Sequence, residues 1–162
     1  MTTLLPSEEI VELQQRIAAA HEPREMIVDI LLAIQARHRW VSDEGIELTA
    51  DLLGLSPLQV EEVATFYDKV YRRPVGEKVI HVCDSICCWS RGSEAVYRHL
   101  QQRLAIAPGE TTADGLFTLL PTCCLGACDL GPAMRIDTRL YGNLTPEKVD
   151  EILARERGEK QP

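Results

Sequence analysis

All six cysteines of this chain fall in two short segments, and that distribution constrains the fold more than any other feature. The first segment is Cys83-Asp-Ser-Ile-Cys87-Cys88 and the second is Cys123-Cys124-Leu-Gly-Ala-Cys128. Small apolar residues scattered through a core would not collect in this way, so the pattern favours a shared ligand. Four thiolates, two from each segment, are a suitable donor set for such a ligand.

The spacing of the cysteines bears on which metal they bind. Structural zinc sites and thioredoxin-type enzymes both use a Cys-x-x-Cys unit, and the sequence has none. Iron–sulfur clusters accept wider spacings, because their sulfur ligands bind different irons. Four residues separate Cys83 from Cys88, and three separate Cys124 from Cys128. The pattern therefore favours an iron–sulfur cluster, with a zinc-stabilised interaction domain and a thiol–disulfide enzyme as alternatives.

Spacing alone does not choose between adjacent thiols. Cys87 could serve in place of Cys88, and Cys123 could serve in place of Cys124. A cluster of the Rieske type is not expected, because it replaces two cysteines by two histidines and only His81 lies near either segment.

Composition limits the class of protein. With 162 residues, 45% of them hydrophobic, the chain can bury one core, or a domain and a smaller helical annex. No stretch approaches about 20 apolar residues and no basic segment precedes an apolar run, so we expect no signal peptide, no membrane insertion and a cytoplasmic location. In that reducing compartment, clustered cysteines favour metal binding or redox work over disulfides. A formal net charge of −8 argues against nucleic acid as a partner.

The first 76 residues predict a bundle of four helices. Apolar residues recur at helical spacing over residues 8–20, from 23 to about 38, and between 42 and 54. The fourth helix begins at a capping box, Ser56-Pro-Leu-Gln59, which places proline at the first helical position. The residues expected on its inward face are Val60, Val63, Ala64 and Tyr67.

Proline and glycine in Arg72-Arg-Pro-Val-Gly76 mark a boundary, so we expect a second domain over residues 77–162. Two predicted strands, Lys78–Cys83 and Phe117–Leu120, each lead into a cysteine segment, and a helix over Ser93–Leu104 lies between them. The remaining predicted elements are a hairpin of 133–136 and 139–141, a helix that starts at Thr145-Pro146, and a charged tail over 155–162 that is expected to fray.

Three stretches of the second domain closely resemble the thioredoxin-like [2Fe-2S] ferredoxin family, in the branch that serves NADH-quinone oxidoreductase (respiratory complex I). They are His81-Val-Cys-Asp-Ser-Ile-Cys-Cys88, Gly109-Glu-Thr-Thr-Ala-Asp-Gly-Leu-Phe117 and Leu120-Pro-Thr-Cys-Cys-Leu-Gly-Ala-Cys-Asp129. The family also has an N-terminal helical bundle, with a segment like Val63-Ala-Thr-Phe-Tyr67. The resemblance implies an α/β (α+β) chain: a helical bundle followed by a thioredoxin-like [2Fe-2S] ferredoxin fold over residues 77–157.

The resemblance also implies a set of cluster ligands. Carried over position by position, these are Cys83, Cys88, Cys124 and Cys128. Cys87 and Cys123 are then left beside the cluster, as packing residues or as a potential disulfide under oxidation. Glycines at 126 and 131 could let backbone N–H groups approach the sulfurs and stabilise their negative charge.

The function implied by the resemblance is one-electron transfer inside a larger NADH-oxidising assembly. The sequence has no glycine-rich dinucleotide fingerprint between a strand and a helix, so NADH and flavin are expected on a partner. The resemblance implies which partner: a flavoprotein that binds FMN and NADH and carries its own [4Fe-4S] cluster. The partner surface is expected around the cluster loops and the N-terminal helices. Equivalent subunits serve NAD-dependent formate dehydrogenases and NAD-reducing hydrogenases, and these assemblies stay open as alternatives.

Overall fold

The computed structural model of the chain describes residues 4–158. Contacts between residues divide the chain into two compact units, Met1–Pro74 and Val75–Pro162. The first unit is helical, and the second combines helices with a four-stranded sheet. The α+β class predicted from the sequence is therefore confirmed. Within the described residues, no helix is long and apolar enough to cross a membrane.

Four helices and a short 3₁₀ turn build the first unit, close to the positions predicted. Helix α1 spans Ser7–Ala19, α2 spans Ile27–His38, α3 spans Asp43–Leu53 and α4 spans Pro57–Phe66. Residues Pro23–Met26, predicted as the start of the second helix, form the 3₁₀ turn that leads into α2.

Local signals set the ends of α3 and α4. The hydroxyl of Ser42 accepts a hydrogen bond from the N–H of Gly45, and Gly54 closes α3 in the left-handed conformation at a φ of 66°. At the start of α4, Ser56 accepts from the N–H of Gln59 while the Gln59 side chain accepts from the N–H of Ser56. The predicted capping box is therefore confirmed.

Polar side chains hold the segment that follows α4 against the other helices of this unit. Gln35 in α2 donates to the carbonyl of Lys69 (2.7 Å) and accepts from the N–H of Tyr71 (2.6 Å). The guanidinium of Arg72 binds the carbonyl of Val41 and the carboxylates of Asp43 and Glu61. These bonds satisfy backbone groups that would otherwise lack partners in the fold.

The core of the first unit is apolar and draws on all four helices. Tyr67 was predicted to face this core, and that prediction is wrong: its side chain is exposed. The reason is that α4 ends at Phe66, and the backbone of Tyr67 is already extended, so the helical period no longer directs its side chain inward. The most deeply buried side chains of this core are Leu5, Ile27, Ile30, Leu31, Ile34, Val41, Val60 and Ala64.

Four strands form the sheet of the second unit, in the order β2-β1-β3-β4. Strand β1 spans Lys78–Cys83, β2 spans Phe117–Thr122, β3 spans Met134–Ile136 and β4 spans Arg139–Tyr141. Strands β1 and β2 are parallel, β1 and β3 are antiparallel, and β3 and β4 form the predicted hairpin. Strand β2 extends two residues beyond its prediction and includes Pro121, which an edge strand tolerates.

Three helices accompany the sheet: α5 over Ile86–Ser90, α6 over Ser93–Leu104 and α7 over Pro146–Glu156. Helices α6 and α7 confirm the sequence prediction, and Thr145 caps α7 by accepting from the N–H of Lys148. The sequence did not predict α5. The first cysteine segment was expected to be a loop, but its last two cysteines lie in this helix.

The charged tail was expected to fray from residue 155, and this is wrong for its first two residues. Arg155 and Glu156 still belong to α7. Lys78 and Tyr141 hold the end of that helix, because their side chains donate to the Glu156 carboxylate over 2.6 and 2.8 Å. Residues 159–162 of the predicted tail lie outside the described part of the chain.

The core of the second unit lies between the sheet and the two longer helices. Its members alternate along the strands and recur at helical spacing in α6 and α7, as an amphipathic sheet and helices require. Its most deeply buried side chains are Ile80, Leu100, Phe117, Leu119, Met134 and Val149.

Candidate metal centre

The parallel pairing of β1 and β2 brings the two cysteine segments to the same end of the sheet. Cys83 is the last residue of β1, and its register partner in β2 is Thr122, directly before the second segment. The N–H of Asp84 donates to the carbonyl of Thr122 (3.1 Å), so the two chains stay paired as they leave the sheet. Strand ends that point the same way explain how segments far apart in sequence meet.

The first segment contributes two buried thiols and one exposed thiol. Cys83 and Cys88 are buried, whereas Cys87 is exposed on α5. Burial raises the pKa of the Cys88 thiol, and the neighbouring thiols of Cys83 and Cys124 raise it further. The N–H of Ala133 opposes this shift, because it donates a hydrogen bond to the Cys88 sulfur.

The second segment presents its thiols at the surface. Cys124 and Cys128 are both exposed, and Gly126 between them has a φ of 74°. This left-handed conformation favours glycine, and it aims the N–H of Gly126 at the sulfur of Cys124 over 3.4 Å. Interaction with the thiols of Cys124 and Cys87 raises the pKa of Cys128 to about 11.

Gly131 leaves room beside the buried thiol of the first segment. A Cβ atom at this position would lie 3.3 Å from the sulfur of Cys88 and 3.2 Å from Cδ of Arg91. Both distances are tighter than ordinary van der Waals contact, so a side chain at residue 131 would press on the metal centre. The backbone of Gly131 can therefore approach the sulfur of Cys88 because glycine has no Cβ atom, as the sequence led us to expect.

The predicted ligands lie together in the structure. Thiols of Cys83, Cys88 and Cys124 interact, and Cys128 interacts with Cys124. The structure adds Cys87 to this group, beside Cys128. Cys123 contributes its carbonyl, which lies 3.4 Å from the sulfur of Cys83.

Two features of the site have no signal in the sequence. Arg91 lies three residues after Cys88 and donates to carbonyls of the second cysteine segment. Ala133 provides an N–H to the Cys88 sulfur, and any residue except proline has that donor. A backbone donor can be located only once the fold is known.

The donor set fits a binuclear iron–sulfur cluster. Within residues 4–158, no three His, Cys, Asp or Glu side chains converge as the ligands of one metal ion would. A [2Fe-2S] cluster takes two thiolates at each of two irons, which is the number that each cysteine segment can offer. Thiols bind a cluster as thiolates, so cluster binding releases protons from these cysteines, and the raised pKa values of Cys88 and Cys128 act against that release.

Comparison with known proteins agrees with the fold and the site. Residues 13–157 match the family described as thioredoxin-like [2Fe-2S] ferredoxin. A subunit of the NADH-quinone oxidoreductase of Escherichia coli strain K12 is 45% identical over 158 residues, which cover 93% of this chain and 95% of the relative. The same-named subunit of Pseudomonas aeruginosa is 44% identical over 132 residues, or 82% of this chain and 80% of the relative. This chain therefore belongs to the thioredoxin-like [2Fe-2S] ferredoxin family, and the resemblance found in its motifs is confirmed.

A solved structure shares the fold. A chain of NAD+-reducing [NiFe]-hydrogenase in the air-oxidised state aligns over 82% of this chain, with a TM-score of 0.70 and 23% identity. The alignment spans 23% of the hydrogenase chain. At that identity the likeness concerns the fold alone.

Proposed function

We propose that this chain is the [2Fe-2S] electron-transfer subunit of an NADH-oxidising complex of the NADH-quinone oxidoreductase type. The observation that carries the proposal is the meeting of thiols from two distant segments at one end of the sheet. The 45% identity to one subunit of that complex, over nearly the whole chain, supports the choice of assembly. The cluster domain comprises residues 77–162, and the proposed ligands are Cys83, Cys88, Cys124 and Cys128.

The chain's own residues bind the cluster and adjust its electrostatics. When bound, a [2Fe-2S] cluster can accept one electron and give it up again. Two thiolates come from each cysteine segment, and the N–H groups of Gly126 and Ala133 donate to sulfur. Such hydrogen bonds favour the more negative, reduced state and so raise the reduction potential. Burial of Cys83 and Cys88 keeps water from one side of the site.

The two-electron chemistry of NADH belongs, in this proposal, to another subunit. The sequence lacks the glycine-rich fingerprint that binds dinucleotides. We assign FMN and NADH to a partner flavoprotein that has its own [4Fe-4S] cluster and that exchanges single electrons with this chain. The complex would hold the chain, with its further subunits, as a peripheral component at the cytoplasmic face of the inner membrane.

Three exposed apolar residues on or just after the cysteine segments are suited to contact the flavoprotein. Ile86 and Trp89 on α5 are 69% and 58% exposed, and Leu130, two residues after the second segment ends at Cys128, is 38% exposed. We call these three residues the cluster-edge patch. Exposed aromatic and aliphatic side chains on cofactor-bearing segments are typical of a surface that another protein covers.

The first experiment tests the cofactor. Protein prepared without oxygen should contain about two iron and two acid-labile sulfide per chain, as one binuclear cluster requires. Its EPR signal should appear when NADH is added to the chain together with its native partners, but not when NADH is added to the chain alone. Stoichiometric zinc in natively expressed protein, with no visible absorption, would contradict the proposal.

The second experiment tests the partner surface. Hydrogen exchange at residues 83–91 and 123–131 should slow when the flavoprotein is added. Trp89→Asp should weaken the affinity between the two proteins at least tenfold, since charge at the centre of an apolar contact is costly. Leu140→Asp is the matched control: Leu140 is also exposed but lies on β4, outside both cysteine segments. Equal effects of the two variants would contradict the assignment of the patch.

A second assembly stays open because of the fold shared with a chain of NAD+-reducing hydrogenase. In a hydrogenase, or in an NAD-dependent formate dehydrogenase, the chain would bind its cluster with the same thiols and contact its partner with the same cluster-edge patch. Identification of the proteins that co-purify with the tagged chain from its native cells distinguishes these assemblies.

A further inference from the structure

Arg91 connects the two cysteine segments. It follows α5, the helix that carries Cys87 and Cys88, and its side chain reaches across to the second segment. Nη1 of Arg91 donates to the carbonyl of Asp129 over 2.7 Å and to the carbonyl of Cys128 over 3.2 Å. A third carbonyl, that of Gly131, lies 3.5 Å away, at the limit of a hydrogen bond.

These carbonyls belong to a short 3₁₀ turn, Cys128–Leu130, and to the residue that ends it. The carbonyls at the end of such a turn carry partial negative charge, and an arginine that binds them acts as its cap. The turn begins at a proposed cluster ligand. Its cap therefore links the Cys128 backbone to the end of α5.

The aliphatic part of Arg91 packs on the same stretch of backbone. Its Cδ lies 3.2 Å from where a Cβ atom on Gly131 would stand, and that position is 3.3 Å from the sulfur of Cys88. Arg91 thus packs beside Gly131, which adjoins the thiol of Cys88, and at the same time binds the carbonyl of Cys128. All three carbonyls lie around the one nitrogen Nη1, which the planar guanidinium holds in a fixed place.

We infer that Arg91 is a positioning residue for the cluster: it fixes the Cys128 turn against α5 and places a positive charge beside the thiolates. This inference rests on the proposed function. The cluster with four thiolates carries net negative charge, which grows by one unit on reduction. A nearby cation favours the reduced state, so Arg91 raises the reduction potential, and because Arg91 is exposed this effect weakens as salt screens it.

Two substitutions separate the geometric role from the charge. Arg91→Lys keeps the charge but replaces the planar guanidinium by an ammonium on a flexible stem, so we expect a potential close to that of the wild type and faster loss of the cluster to a chelator. Arg91→Gln removes the charge as well. It should lose the cluster about fivefold faster than the wild type, which is the effect of about one lost hydrogen bond. Its potential should be lower than that of either other protein at low salt, and the difference should shrink at high salt.

Arg98→Gln is the matched control. Arg98 is an exposed arginine of α6 whose side chain pairs with Glu94, so its replacement changes the net charge equally without touching a cysteine segment. It should leave both the potential and the rate of cluster loss near those of the wild type. The potential is measured by EPR-monitored redox titration, and cluster loss by the decay of visible absorption with a chelator.

The outcomes distinguish this inference from the proposed function. A wild-type chain without iron and sulfide would refute the proposed function itself. A wild-type chain with a cluster, together with an Arg91→Gln variant of unchanged potential and unchanged cluster lifetime, would overturn the inference alone. Equal potentials in the Lys and Gln variants would refute the charge effect, and equal lifetimes in all three proteins would refute the positioning effect. If Arg91→Gln assembles no cluster although its circular dichroism matches the wild type, the positioning effect is supported and the potential of Arg91→Lys decides the charge effect.

Discussion

Cys83 and Thr122 lie opposite each other at the last paired position of the parallel strands β1 and β2. The chain continues from one into α5 and from the other into the second cysteine segment. The end of the sheet therefore presents the thiols of both segments in one place. Predictions about individual cysteines follow from this arrangement.

Serine substitutions should divide the six cysteines into two groups. Replacement of a ligand should abolish the cluster or shift its EPR spectrum through oxygen ligation. Replacement of a thiol that only adjoins the cluster should leave the spectrum nearly unchanged. We expect loss or a shift for Cys83→Ser, Cys88→Ser, Cys124→Ser and Cys128→Ser, and a retained signal for Cys87→Ser and Cys123→Ser.

The contact between Cys87 and Cys128 makes Cys87→Ser the most informative of these variants. An altered signal in Cys87→Ser, with a normal signal in Cys88→Ser, would reassign the ligand of the first segment. The matching pair of results at Cys123 and Cys124 would reassign the second.

Gly126→Ala should damage both stability and the metal centre. A non-glycine residue at a φ of 74° costs about 1–2 kcal/mol, and relaxation of that strain would turn the N–H of Gly126 away from Cys124. Gly109→Ala is the control, because Gly109 has a φ of 87° but lies outside the cysteine segments. Urea unfolding should show a comparable decrease in the free energy of unfolding for both variants. Only Gly126→Ala should shift the reduction potential of the cluster. A shift in both would refute the role of this N–H.

Glu156→Gln should lower the free energy of unfolding by about 1.5–3 kcal/mol near pH 7, the range for a hydrogen bond to a charged group. The Lys78 ammonium, with a further bond from Tyr141, holds the pKa of Glu156 below its ordinary value of 4.5, and its side chain is only 13% exposed. A lowered pKa stabilises the fold above pH 4.5, and this contribution is lost as the pH falls below that value.

The difference in free energy of unfolding between the wild type and Glu156→Gln should therefore become smaller as the pH approaches the lowered pKa of Glu156. Urea unfolding followed by circular dichroism at about pH 7 and about pH 4 measures it. Glu12→Gln, at an exposed carboxylate of α1, should have little effect at either pH. If Glu156→Gln loses the same free energy of unfolding at both pH values, Glu156 acts through packing and not through its charge.

Gln35→Ala should destabilise the helical unit by about 1–2 kcal/mol, because it deprives the N–H of Tyr71 and the carbonyl of Lys69 of a partner. Gln15→Ala in α1 is the control, since Gln15 is exposed and alanine is at least as good a helix former. Thermal unfolding of the wild type and both variants measures the loss of stability that each substitution causes. A loss in Gln15→Ala as large as in Gln35→Ala would contradict the proposed role of the side chain.

Much of this fold is local in origin and therefore visible in the sequence. The Ser56–Gln59 capping box, the glycine at 54 and the proline after Thr145 are short-range signals, and each marks a helix end in the structure. The convergence of the cysteines was also foreseeable, because six thiols in two segments make sense only if those segments meet.

What the sequence did not reveal depends on contacts between distant residues. Helix α5 is only five residues long, too short for a helical period to be recognised against a loop. The end of α7 was predicted to fray because it is charged, but Lys78 and Tyr141, far away in sequence, hold Glu156 in place. Arg91 belongs to the same class, since its acceptors are carbonyls that only the fold brings near.

Pro121 has a consequence for how other chains can approach the sheet. It stands on the outer strand and has no N–H, while residues 109–112 already occupy the hydrogen-bonding groups of Phe117 and Leu119. The opposite border, β4, is only three residues long. Neither border can easily receive an added strand from another polypeptide, which guards the chain against edge-to-edge aggregation before it is assembled. In the proposed complex, recognition by the flavoprotein would then depend on exposed side chains such as Trp89.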